Sequence, residues 1–547
     1  MSENSEKKTV KNSIIVGGLI GTAGLFVAKL IGLLYSIPLS RILVYDDLQA
    51  YYGTAYQIYS YVLNVFTAGV PFAISTIVAK YTVLDDNKSL MTIRKISMNL
   101  LKLLGLAGML LLVLLSGFIA NVVVDEGDTA TLANSIRILA VAVFFVPILS
   151  SYRGFWQGRK EMGEYAFSQT FEQIFRVGFL LSMAYLIVYV FNMDRKFALY
   201  AAVMSTSVAA VAGIIQIYIF DKKKIREISE PAKIQESAGA DSKALLKELL
   251  ILAVPYLGSA VIGYCDSIFN STLLPVGLRL HGYTTEQNMI ILNAVNYVGY
   301  KLTSIPQVLS PGFVAALIPH VTEAITKNEK DRVSRIVTEC LGIVIFIASM
   351  ASACIAIYAT DIYHVLFVTS DVSLASSAVR WLAIEGFLGT ICPVTSSLMI
   401  AIGFKKDVLK RQMISAVLKA AVMVPLIYVF GFRGAVLSSV VGNSYVFLGN
   451  VKQIDRKYNI NLKDLFINLG KVCGALAIMF AVSYALRMIG ISGDHGRKLT
   501  ALVLVVINGM AAVAAYFAAA HVMMIPQNLF HKDFLSVIKG RFSRRKA

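Results

Sequence analysis

Long apolar stretches alternate with short polar connections along the whole chain, and that alternation predicts a helical membrane protein. Fourteen stretches of about 20 mostly apolar residues, the length a spanning helix needs, begin near Ile14, Thr54, Ile96, Leu132, Ala166, Phe197, Leu245, Ile290, Ile336, Ala378, Gln412, Arg433, Leu465 and Leu499. A membrane barrel would show strands of about ten residues with strict alternation instead. The expected fold class is therefore an all-α polytopic membrane protein with 14 transmembrane helices.

Composition narrows this further. Of 547 residues, 57% are hydrophobic and 15% charged, with a mean hydropathy of +0.68. A soluble enzyme of this size, a disordered chain and a disulfide scaffold are excluded. The cysteines (Cys265, Cys340, Cys354, Cys392, Cys473) form neither CxxC nor a Cys/His cluster, so no metal site is indicated. A net charge of +18 would suggest nucleic acid in a soluble chain, but here the basic residues lie in short runs between apolar stretches. The N-terminus, MSENSEKKTVKN, leads into an apolar stretch with no cleavage site, which is expected to be a retained first helix.

The basic residues follow the positive-inside rule. One set of alternate connections, together with both ends of the chain, holds 35 Lys and Arg; the seven intervening connections hold 7. That asymmetry predicts an even helix count and cytoplasmic N- and C-termini.

The polar run from Asp221 to Lys247 has no core-forming pattern, and reads as a cytoplasmic linker. The expected organisation is an N-lobe over 1–225, a linker over 226–243, a C-lobe over 244–460, a helix pair over 461–525 and a basic tail over 526–547. An internal repeat supports the lobes. AYQIYSYVLNVFTAGVPFAIS matches NYVGYKLTSIPQVLSPGFVAAL, with Tyr56 on Tyr297, Pro71 near Pro311 and Phe72 on Phe313. GFWQGRKEM likewise matches AIGFKKDVL, with Gly158 opposite Gly403. Both halves start on the same side of the membrane, a parallel repeat of the kind used by transporters that rock two lobes about a central site.

Some charges lie too deep to be topology signals, and charges at such depth face a cavity or a partner. Lys29 and Lys301 fall well inside helices one and eight, in different lobes. Two ammonium groups flanking a cavity suit an anion, particularly a diphosphate; the alternative is pairing with a carboxylate such as Asp266 or Glu385. Asp266 is a candidate for a coupling proton or sodium ion, or for structural pairing. Arg41 either guides an anionic head group or sits at the interface. Glu172 and Arg176 are spaced as an intrahelical ion pair, and Lys419 is expected to snorkel to the cytoplasm. Prolines in or near the helices, among them Pro38, Pro147, Pro255, Pro306, Pro393 and Pro425, allow bends.

The run SYRGFWQGRKEMGEYAFSQTFEQIFRVGFLL, Ser151 to Leu181, resembles the RGxxQGxxxMxxxAxSQxxEQxxRV signature of a flippase family. This is the MurJ/YtgP and stage V sporulation protein B type of polysaccharide transporter, in the multidrug/oligosaccharidyl-lipid/polysaccharide (MOP) exporter superfamily. GVPFAIS, Gly69 to Ser75, resembles its GxPxAIS element, and the fourteen-helix layout fits. The resemblance implies a bacterial plasma-membrane protein that moves undecaprenyl-diphosphate-linked cell-wall precursor, lipid II, from the inner to the outer leaflet. It implies alternating access, with cations holding the diphosphate. Lys29 and Lys301 match arginines of that family, whereas Tyr35 and Asn64 stand where it has further arginines. The last two helices would line a groove for the lipid tail. No cofactor is expected; membrane potential, a proton or sodium would supply the energy. Expected partners are lipid II or a related saccharide, membrane lipids and cell-wall synthesis proteins, with no nucleic acid. The alternatives are export of another undecaprenyl-linked oligosaccharide or of drugs, a membrane glycosyltransferase or ligase, or a wall-synthesis scaffold. For the enzyme reading, the connections holding Asp125, Glu126, Asp128, Asp361 and His364 are too short to form a convincing site.

Overall fold

A computed structural model describes residues 31–525 apart from 68, 125–126, 236–238, 309, 311–320, 322–323, 326, 461 and 494–496. Lys29, Glu126, Pro311, Phe313, the expected helix start at Ile14 and the basic tail lie outside the described residues, as does Asp125. All regular structure among the described residues is helical. The helices are α1 (Ser36–Leu43), α2 (Asp46–Thr67), α3 (Val70–Val83), α4 (Asn87–Val123), α5 (Thr129–Gly158), α6 (Met162–Tyr185), α7 (Arg195–Lys224), α8 (Arg226–Ile234), α9 (Ser242–Gly263), α10 (Cys265–His281) and α11 (Thr285–Asn293). They continue as α12 (Tyr300–Gln307), α13 (Lys330–Leu366), α14 (Val372–Ala401), α15 (Lys405–Phe430), α16 (Arg433–Tyr458), α17 (Leu462–Met488) and α18 (Lys498–Val522). Thirteen of the fourteen expected starts fall on these helices. Ten stretches among the described residues are long and apolar enough to cross a membrane.

Local sequence sets the helix ends. An aspartate precedes α4, α5, α7 and α14, and each accepts from a backbone N–H of the first turn: Asp86 from Ser89, Asp128 from Thr131, Asp194 from Lys196 and Asp371 from Leu374. These bonds satisfy donors that a helix start leaves open. Thr284 and Gln287 form a reciprocal capping box on α11. Arg279 closes an opposite end, donating to the carbonyls of Val122 at 2.9 Å and Val123 at 3.2 Å.

The chain divides into two compact units, Met1–Tyr297 and Val298–Ala547. In the first, Val70, Ile74, Trp156 and Ile217 lie in one buried cluster, and the Trp156 indole donates to the buried Asp221 at 3.1 Å. The linker is not the bare segment its polarity predicts. It carries α8, whose Ile228 is buried in this same cluster, because one apolar residue on a short helix is enough to dock it.

In the second unit, Val337, Leu341 and Val344 of α13 pack with Leu398, Met399 and Ile454. The terminal pair, α17 and α18, packs on α13 through Phe346, Val472, Ala475 and Tyr516.

Helices recur at fixed spacing in the two units. α4 and α13 are both 37 residues long and begin 243 residues apart, at Asn87 and Lys330. α5 and α14, both 30 residues, keep the same spacing from Thr129 to Val372, as do α6 and α15 from Met162 to Lys405. At about 1.5 Å per residue, a 37-residue helix far outreaches the roughly 30 Å hydrocarbon layer.

Candidate functional site

Among the described residues of the first unit, a buried charged cluster sits on the signature motif. Ser168, Glu172 and Arg176 recur every fourth residue along α6, so they share one helix face. Arg153 of α5 reaches that face. Its Nη1 donates to Glu172 Oε2 at 2.9 Å, its Nη2 to the Ser168 carbonyl at 2.8 Å and its Nε to Ser168 Oγ at 3.2 Å. Arg176 donates through Nη2 to the other oxygen of Glu172 and through Nη1 to the Tyr56 hydroxyl of α2 at 3.0 Å. The expected intrahelical pair is thus half of a larger assembly: two guanidiniums share one carboxylate and leave one positive charge in excess. All three side chains are about nine-tenths buried, and Arg176 Nε has no hydrogen-bond partner.

Two glycines of the signature let the neighbouring motif approach. A Cβ on Gly154 would lie 2.9 Å from the Pro71 carbonyl, and one on Gly158 2.6 Å from that of Ser75. Any larger residue would push α3 off α5, so RGxxQG and GxPxAIS are the two faces of one close helix crossing.

A second polar seam joins α2 to α11 and the wider helical turn that continues it over Ala294–Gly299. Asn293 donates to Asp46 at 2.8 Å, Asn296 to Thr54 at 3.0 Å, and Gln57 to the Asn296 carbonyl at 3.4 Å. Gly53 permits the crossing: its Cβ would lie 2.9 Å from Asn296 and Tyr297. Tyr35 joins this seam, its hydroxyl 2.9 Å from that of Tyr52, while the Tyr52 ring meets Tyr297 edge-on at 5.4 Å.

The other residues singled out by sequence are dispersed. Arg41 is exposed in the last turn of α1. Asn64, half-buried in α2, donates to the Ser60 carbonyl at 2.7 Å. Asp266 is exposed in the first turn of α10; the predicted helix seven is broken at Tyr264 into α9 and α10. Lys301 opens α12 and is half-buried, as is Glu385 of α14. Their two helices pack closely, since a Cβ on Gly386 would sit 3.4 Å from Pro306 and 3.5 Å from Thr303. Lys419 does not snorkel. It is 3% exposed, far along α15 from its start at Lys405, too deep for its stem to carry the ammonium to water. Of the residues weighed for the enzyme reading, Asp361 is buried and bound by Arg487 and the Gly493 N–H, and Asp128 is a helix cap.

Sequence reasoning missed Arg153, Ser168 and Tyr56 as partners of the Glu172–Arg176 pair. The four-residue stripe Ser168–Glu172–Arg176 was the available signal, since a buried carboxylate at that spacing needs donors from a second helix.

Known proteins resemble this chain over most of its length. The profile of a family described as "Polysaccharide biosynthesis protein" matches residues 15–325. The chain is 27% identical over 513 residues to "Lipid II flippase MurJ" of Bacillus subtilis (strain 168), covering 91% of this chain and 93% of that protein. It is 21% identical over 498 residues to "Stage V sporulation protein B" of the same organism, covering 88% and 93%. Among solved structures, a lipid II flippase MurJ in an inward closed conformation superposes with a TM-score of 0.67 at 13% identity, covering 92% of this chain and 99% of that one. An inward-facing multidrug resistance MATE family transporter of the MOP superfamily superposes at 0.60 and 16% identity, covering 77% and 94%. The MurJ flippases and the MATE transporter are transporters rather than enzymes, and the fold is the multi-pass helical fold of MOP exporters. The chain belongs to the polysaccharide biosynthesis protein family.

Proposed function

We propose that this protein is a flippase that carries an undecaprenyl-diphosphate-linked peptidoglycan precursor, lipid II, from the inner to the outer leaflet. The observation that carries the reading is the nearly end-to-end match to the B. subtilis flippase, in a chain whose signature residues form a buried cationic cluster. The machinery is transport without covalent chemistry: two lobes, 1–225 and 244–460, alternate access to a diphosphate held by Lys29 and Lys301. Opposite charges attract most strongly where water is scarce, so two ammonium groups can hold a diphosphate in a low-dielectric setting. Tyr35 and Asn64 offer neutral polar contacts, and Arg41 guides the head group. Asp266 and Glu385 are the positions for a coupling proton or sodium ion. The terminal pair, 461–525, takes the lipid tail, and both ends of the chain lie in the cytoplasm.

A second cargo, another undecaprenyl-linked oligosaccharide, is favoured by the match to a family described as "Polysaccharide biosynthesis protein" and by Tyr35 and Asn64 standing where the resembled flippase family has arginines. The two cargoes are separated by reconstituting the protein in vesicles with labelled lipid II or with an undecaprenyl-diphosphate oligosaccharide lacking the peptide. Translocation of lipid II supports the first reading; translocation of the peptide-free lipid alone supports the second.

A further inference from the structure

The second unit carries a basic pocket, of about 720 Å³, where the start of α15 meets the end of α16. Arg411, Lys452, Arg456 and Lys457 line it, together with Phe404, Tyr445 and Gln453, and the lining holds no carboxylate. A topology signal needs only charges on the right side of the membrane; this pocket has a built floor. Arg411 donates to Asn450 Oδ1 at 2.9 Å and to Gln453 Oε1. Gln453 is in turn fixed by donating to Asp407 at 2.7 Å. Arg411 lies flat on α16 because residue 449 is glycine: a Cβ there would stand 2.8 Å from Arg411 Nε. Lys457 rests over the Phe404 ring at 4.7 Å and donates to the Ile402 carbonyl at 3.4 Å. Lys452 and Arg456 are exposed.

Leading into the pocket at Tyr445, α16 presents Val441, Tyr445 and Leu448, which are 42%, 40% and 62% exposed. Their spacing of four and three residues makes one apolar stripe, and it ends at the cations. A cationic pocket at the end of an apolar helix face has the outline of an anionic amphiphile, and basic pockets between membrane helices bind phosphate head groups. We infer that this pocket binds the phosphate head group of an anionic phospholipid, whose acyl chains lie along Val441, Tyr445 and Leu448. The lipid is structural or regulatory, distinct from transported cargo. Its assignment to the inner leaflet rests on the topology proposed above; binding itself does not.

Native mass spectrometry of the full-length protein in detergent tests this. The probes are phosphatidylglycerol, phosphatidylcholine with the same acyl chains, and sodium diphosphate. Wild type should retain phosphatidylglycerol in preference to phosphatidylcholine. K452Q/R456Q should lower that retention by about fivefold for each charge removed, whereas K222Q/K223Q, which removes two exposed lysines of the first unit, should leave it unchanged. Equal retention of the two lipids by wild type, or an undiminished preference in K452Q/R456Q, overturns the inference. Displacement of phosphatidylglycerol by equimolar diphosphate overturns it in favour of a soluble phosphate ligand. Failure of lipid II transport with head-group binding intact counts against the proposed function alone.

Discussion

Arg176 and Lys419 occupy the same place in the two halves of the chain. They stand 243 residues apart, the spacing that separates their helices, α6 from Met162 and α15 from Lys405. Both are buried. The halves differ in what surrounds them: the positions matching Glu172 and Arg153 are Ser415 and Ser396. The repeat has kept a deep cation in each half and a carboxylate in one.

That asymmetry orders the effect of mutations in the first half. Glu172→Gln leaves two buried guanidiniums without their shared anion, and stranding a buried charge costs about 3–5 kcal/mol. Arg176→Gln leaves a balanced Arg153–Glu172 pair and should cost less. Thermal unfolding in detergent should therefore rank wild type above Arg176→Gln above Glu172→Gln. The reverse order of the two variants would mean that Arg176, not the carboxylate, organises the cluster.

The crossing at Gly53 makes a steric prediction. Gly53→Val places methyl groups where Asn296 and Tyr297 already stand, and overpacking of this kind costs about 1–3 kcal/mol. Because it parts α2 from α11, it should also weaken the Asn296–Thr54 and Gln57–Asn296 bonds. Amide exchange over 288–299 should accelerate in the variant; unchanged exchange would show that the seam does not depend on the close approach.

Asn508 ties the terminal pair to the rest of its unit. Its Oδ1 accepts from the Tyr358 hydroxyl at 2.6 Å, and its amide donates to the carbonyls of Ile491 at 2.7 Å and Ser483 at 3.2 Å. Asn508→Leu removes the partner of the Tyr358 hydroxyl and of the Ile491 carbonyl, at about 1–3 kcal/mol for each buried group left unsatisfied. Hydrogen exchange should rise over 480–510 and stay unchanged over 129–158.

The linker gives a pH signature. Burial works to raise the Asp86 carboxyl, but hydrogen bonds from the Ser89 side chain, the Gln235 side chain and the Ser89 backbone hold it below its ordinary 3.8. A depressed carboxylate stabilises above its unfolded pKa, and the contribution disappears as pH falls through the folded value. The Asp86–Gln235 contact, 2.9 Å long, should therefore loosen below about pH 3.8. Pepsin cleavage within 226–240, normalised to a free peptide of that sequence, should rise from pH 5 to pH 3. Asp86→Asn should give fast cleavage with little pH dependence.

Helix positions were legible because membrane burial writes itself as long apolar runs with charges at their ends. The break at Tyr264 was not, because its one local cue is Gly263, and a lone glycine in a long apolar run does not distinguish a break from a continuous helix. Arg153 lies in a basic connection between apolar runs, where the sequence offers only a topology charge, yet it turns inward to Glu172; a side chain's direction depends on the neighbouring helix, which a linear count cannot see. Lys419 was misplaced for a related reason, since its depth is set by where α15 begins. The Glu172–Arg176 spacing carried the first half of the cluster, and the residues that complete it come from α2 and α5.

The most direct measurement is translocation of fluorescent lipid II in vesicles containing the purified protein, scored by the fraction that a membrane-impermeant quencher reaches. Wild type should raise that fraction well above protein-free vesicles, and Lys29→Ala and Lys301→Ala should each return it towards baseline at equal protein incorporation. Translocation by both variants at the wild-type rate would contradict the account, as would wild-type vesicles that move no lipid II.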